Sequence, residues 1–131
     1  MSKVTIKSAK TGAKLEFSDV GNEYFTVAFL GASITALHRV WAYTGDCERL
    51  ANLFLEMAEN WKGWEGTKIW DAIEGDFSLS CTSDKLGHVT LRVKLVERDT
   101  PELWSAEFNV EVEAGQLEKI SNDMRLLFGK C

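Results

Sequence analysis

The sequence has one proline in 131 residues, three cysteines and two histidines. It has no run of about 18 apolar residues, which excludes a membrane-spanning helix. The opening MSKVTIKSAK alternates and lacks an apolar core, so no secretory signal is expected. Cys47, Cys81 and Cys131 are odd in number, widely spaced and free of any CxxC. That argues against a disulfide framework and against zinc, and suits a reducing, cytoplasmic setting. Cys81 alternates with apolar neighbours and reads as a small buried hydrophobe, while Cys131 is expected to fray. There is no GxGxxG, no GxxxxGKS/T and no GxSxG, which removes dinucleotide, P-loop and nucleophile-elbow chemistry. With no repeat, linker or low-complexity stretch, residues 1–131 read as one domain.

Apolar residues make up 45% and charged residues 27%, enough for a packed core. The net charge of −5 is uneven. Residues 1–45 hold five basic and three acidic residues, whereas residues 46–131 hold ten and seventeen. An acidic chain repels phosphate backbones, so sequence-independent nucleic-acid binding is not expected. It attracts a basic protein partner.

Val4 and Ile6, then Leu15 and Phe17, alternate with polar residues around the turn signal Thr11-Gly12. The run from Tyr24 to Tyr43 is apolar in both phases, as in a strand covered on both faces, and Gly31 divides it. Asp46 is a candidate N-cap, and Leu50, Leu53, Phe54, Met57 and Trp61 form a helical stripe ending near Lys62-Gly63. Residues 61–76 read as a glycine-containing loop, with Ile73 entering the next strand. Phe77, Leu79 and Cys81 alternate after it. Val89, Leu91, Val93 and Leu95 form the cleanest inward set, with Arg92 and Lys94 outward. Trp104, Ala106, Phe108, Val110 and Val112 follow, with Glu107, Glu111 and Glu113 outward, so cross-strand ion pairs are expected. Leu117, Ile120, Met124, Leu127 and Phe128 mark a closing helix. The class is α+β: a single, largely antiparallel sheet of about six strands with two α-helices packed on one face.

The candidates for chemistry are few. His38 lies in an alternating run and reads as a sheet residue with a satisfied ring. His88 could be a general base with Asp84 or Asp76, but no nucleophile elbow accompanies it, and a turn role is favoured. Strand Val89–Val96 lacks the outward aromatics of an RNA-binding sheet. Glu65, Asp71, Glu74, Asp76 and Asp84 are concentrated in one stretch and read as a solvated edge, or as a surface for a basic partner. Catalytic carboxylates or a hard-cation site are the weaker readings, since no DxDxDG loop occurs. Each tryptophan buries ~150–250 Å², roughly 4–6 kcal/mol gross at ~25 cal/mol per Å². Trp61 and Trp104 are therefore expected in the core. Trp64 and Trp70, in the glycine-containing loop, are candidate contact residues, because tryptophan is enriched at binding hot spots.

The segments EMAENWKGW, IEGDFSLSCTSD, LGHVTLRVKL and VEAGQLEKI resemble the bacterial family called domain of unknown function six-two-two-eight. Gly87-His88 and Ala114–Leu117 carry the likeness most clearly, and it covers about residues 45–128. A more distant similarity is to immunity proteins of the WapI type. The resemblance implies a small cytosolic bacterial protein with no catalytic residues to carry over, one that neutralises a toxin by binding it.

The resulting expectation is a non-enzymatic, immunity-like protein without cofactor or metal. Its basic partner would be of the nuclease-toxin kind, met through Trp64, Glu65, Trp70, Asp71, Glu74 and Asp76. The alternative is a small-molecule module with an apolar pocket between sheet and helices. A free edge strand would also permit a homodimer.

Overall fold

The computed structural model describes residues 2–43 and 45–129. Strands β1 (Lys3–Lys7), β2 (Lys14–Ser18), β3 (Tyr24–Leu30) and β4 (Thr35–Trp41) form one antiparallel meander. Helix α1 (Asp46–Glu59) follows. Strands β5 (Lys68–Asp71), β6 (Phe77–Ser83), β7 (His88–Val96) and β8 (Ser105–Glu113) form a second meander. A 3₁₀ turn at Ala114–Gln116 leads into α2 (Leu117–Phe128).

The α+β class holds, but the single sheet of about six strands is corrected to eight strands in two sheets. The chain leaves the free edge of β4 through Gly45, whose φ of 94° favours a residue without Cβ, and spends the next 14 residues on α1. β5 therefore starts a new sheet. It lies within the stretch read as loop, because only one of its four residues, Trp70, is buried, and four residues give no period. Ile73, expected to enter a strand, sits in the turn after β5 and is 57% exposed.

The inward faces follow the alternation closely. On β7 the buried residues are Val89, Leu91, Val93 and Leu95, and Lys94 lies opposite Glu107 across the hairpin at 4.0 Å. The helices pack on each other, with α2 against β1 and α1 against β5, the edge strands of the two sheets. Phe17, Phe25, Phe77, Phe128 and Trp70 fill the space enclosed by sheets and helices, with ring centroids 5.2–6.3 Å apart. That is the space in which the alternative expectation put a ligand pocket. Phe29 of β3 stacks on Phe108 of β8 at 3.8 Å and joins the sheets directly.

Two tryptophans exchange their expected places. α1 ends at Glu59, where the Asn60 side-chain amide donates to the Glu56 carbonyl at 2.8 Å. The helical period stops there, so Trp61 leaves the apolar stripe and is 56% exposed. Trp70 is 4% exposed, and its indole N–H donates to the Asp46 carbonyl at 3.1 Å. Asp46 itself is the first residue of α1 and not its cap, and its carboxylate accepts from Arg49.

Cys47 is disulfide-bonded, which corrects the expectation that the cysteines are unpaired. Cys131 lies outside the described residues. Cys81 is a free buried thiol, and desolvation pushes it up to about 12 despite the Lys68 ammonium, which acts to lower it. Iodoacetamide at about pH 8 should therefore leave Cys81 unmodified in the folded chain and alkylate it in denaturant. Rapid labelling of the native protein, read by mass spectrometry, would show that the β6 interior opens.

Candidate functional site

His38 stands on the inward face of β4, opposite Val27 in register, and is 7% exposed. Such a residue needs partners for both ring nitrogens. They come from the second sheet. Nε2 lies 2.6 Å from Asp76 Oδ2, in the turn before β6, and Nδ1 lies 3.2 Å from Glu97 Oε1, just after β7. The hydrogen bond to Asp76 raises the pKa of His38, and the charges of Asp76 and Glu97 add to it, while desolvation opposes. An imidazolium donating to two carboxylates has no lone pair left to act as a base. The expectation of a sheet residue with a satisfied ring holds, and the ring is a hydrogen-bonded clamp between the two sheets whose carboxylate partners favour its charged form. Trp104, half-buried, presents its ring edge-on at 6.4 Å.

Gly75, at φ 72°, makes the tight turn that aims Asp76 inward and leaves Glu74 outside. Asp76 is thus buried and committed to His38. Arg98 donates to the Glu74 carbonyl at 2.9 Å, and these residues line a cleft of about 100 Å³.

His88 opens β7. Its backbone N–H and that of Leu86 donate to Asp84 Oδ1, at 2.9 and 2.8 Å. Its ring Nδ1 lies 2.9 Å from Asp84 Oδ2, and Nε2 lies 3.7 Å from Glu113. Hydrogen bonding to Asp84 raises the His88 pKa, and the His88 backbone bond lowers that of Asp84. The hydroxyl of Ser83 donates to the Asp84 carbonyl. The group staples the β6–β7 turn, with His88 and Asp84 facing solvent beside an open depression of about 570 Å³.

The remaining sequence candidates do not converge. Trp64 is half-buried, donates to the Cys81 carbonyl at 3.2 Å and lies 5.4 Å beneath the Lys68 ammonium. Glu65 is exposed beside it, in a depression that reaches Asp84 and Lys85. Asp71 is exposed on β5 and accepts from Ser78. Trp70 and Asp76 are buried, so neither is on the surface as a partner contact. Acidic residues close in sequence are parted here because β5 and its turn send alternate side chains to opposite faces.

A groove not foreseen in the sequence lies between the end of α1 and the start of α2. Leu55, Ala58 and Trp61 form one wall and Ala114, Gly115 and Ser121 the other, around about 430 Å³. Glu59 and Glu118 stand on its rim. Its one sequence signal is Leu55, an apolar residue off the buried stripe of α1, which is 42% exposed.

Fold and sites together define a small two-sheet α+β protein. Its buried ion pairs hold the architecture, and its accessible features are open depressions on the surface. The chain belongs to the family of unknown function DUF6228, whose family model matches residues 6–130. The match takes in most of the first sheet, which lies outside the 45–128 span of the sequence resemblance. No curated protein matches the chain.

Proposed function

We propose that this chain is an immunity-type protein of bacterial cytoplasm that neutralises a toxin by direct binding, without turnover. The groove between α1 and α2 is its contact surface. The observation that carries this reading is an exposed tryptophan, Trp61, beside exposed Leu55 in an apolar groove with Glu59 and Glu118 at its edge. An aromatic anchor within a polar rim is the composition of an interface hot spot. The rim carboxylates suit a basic partner, and a toxin that cleaves nucleic acid is basic where it meets phosphate.

The test is co-expression with the product of the adjacent reading frame in a host that this product inhibits. The wild-type chain should restore growth and co-purify with that product. Trp61→Ala should weaken the complex by about 2 kcal/mol or more, roughly thirtyfold. Glu118→Lys should lower the association rate most at low salt. Full protection by a chain carrying both Trp61→Ala and Glu118→Lys would place the contact elsewhere. Absence of protection by the wild type would overturn the reading.

A further inference from the structure

Among the described residues the helices pack on the edge strand β1 of the first sheet and the second sheet meets its inward rings, which leaves the two ends of its outer face open, while Thr26 and Ala28 at its centre are buried among their neighbours. Its rows follow from register. At one end Lys7 on β1 lies directly opposite Lys14 on β2. At the other end Tyr24 on β3 lies opposite Trp41 on β4. Trp41 meets Tyr43 edge-on at 5.8 Å, and the Arg39 guanidinium sits 5.2 Å over the Tyr24 ring.

Like charges directly opposed across strands are destabilising. Among the described residues neither Lys7 nor Lys14 has a carboxylate within 4.0 Å. Glu16, the one acid on this face, is taken by Lys3 at 3.7 Å and Thr5 at 3.2 Å. The lysine pair is therefore an uncompensated cost to the fold that a bound anion would remove. Tyr24 and Tyr43 are 43% and 52% exposed, with Trp41 between them, a platform of flat rings about 20 Å along the strands from the lysines. Ammonium groups at one end, a guanidinium and a row of exposed rings at the other, on one face of a four-stranded sheet, match a phosphate backbone with unpaired bases. An acidic protein would satisfy the lysines but would have no specific use for the ring faces. The net charge of the whole chain does not oppose this, because the acids lie mostly after residue 45, outside this sheet.

We propose that the outer face of β1–β4 binds single-stranded nucleic acid, with Lys7 and Lys14 on phosphates and Tyr24, Trp41 and Tyr43 on bases. The surface is independent of the α1–α2 groove, so loss of either leaves the other testable.

The experiment is fluorescence anisotropy of a labelled oligothymidylate of about ten nucleotides, within the ~4–16 that such surfaces cover, at low salt. The wild-type chain should bind and quench Trp41. Lys7→Glu with Lys14→Glu should weaken binding more than tenfold. It should also make the log–log salt slope shallower by about 1.4, because each neutralised phosphate of a single strand adds ~0.7 to that slope. Tyr24→Ala with Tyr43→Ala should weaken binding about tenfold with the slope unchanged. Lys94→Glu with Lys119→Glu, the same charge change elsewhere, should have little effect. No binding by the wild type, or equal loss in that control pair, overturns the proposal. So does equal affinity for a duplex of the same length, or equal competition by polyglutamate, which would assign the face to an acidic protein.

Discussion

Trp70→Ala should lower the unfolding free energy by about 3–5 kcal/mol. This is a large part of the ~5–15 kcal/mol a domain commonly has. The ring lies 5.6 Å from Phe77 and 6.3 Å from Phe25, so its removal opens a cavity in the aromatic cluster that joins both sheets to α2. It also removes the donor to the Asp46 carbonyl, at the start of α1. Trp70→Phe keeps most of the volume and loses that bond, so it should cost clearly less. Trp61→Ala, at an exposed position, should change stability by only about 0.5 kcal/mol. Urea unfolding followed by circular dichroism checks all three. A loss below about 1 kcal/mol for Trp70→Ala would remove Trp70 from the core and restore it as a surface contact.

His38→Gln should cost about 3–5 kcal/mol below pH 6.5, because Asp76 is then left buried, and Glu97 half-buried, without their cation. The exposure is greatest for Asp76, whose Oδ1 already has no hydrogen-bond partner among the described residues. The pH dependence has a definite sign. The folded chain holds the His38 proton more tightly than the unfolded chain, whose value is near 6.5. The stabilisation is therefore complete below about pH 6.5 and is lost as pH rises through the raised folded value. Wild-type stability should decline with rising pH across this window, and His38→Gln should remove most of that slope. His88 titrates in the same direction, but it is exposed and screened, so His88→Ala should leave most of the slope in place. A wild-type profile that is flat from pH 6 to 9 would show that the clamp is not an imidazolium.

The alternation of Val89 to Leu95 and of Val4, Ile6, Leu15 and Phe17 made the strands legible, because a half-buried strand writes its inner face every second residue. The stripes of α1 and α2 were legible for the same reason, at a period of 3.6. β5 was not, since a four-residue edge strand with one buried side chain shows no period. Trp61 was misplaced because the stripe continues in the letters after the Asn60 cap has ended the helix. The acidic stretch suggested one surface, whereas the turn at Gly75 drives Asp76 inward and leaves Glu74 in solvent.

Local composition and period by themselves determined the α+β class, the inner faces of most strands and both helices, because these depend on neighbours along the chain. Only the tertiary structure decided that there are two sheets and that His38 bridges them. The same holds for Leu55 and Trp61 meeting α2 across a groove, and for the lysine pair and the aromatic row sharing one face. Each of these depends on residues far apart in sequence meeting in space, and pattern along the chain carries no record of them.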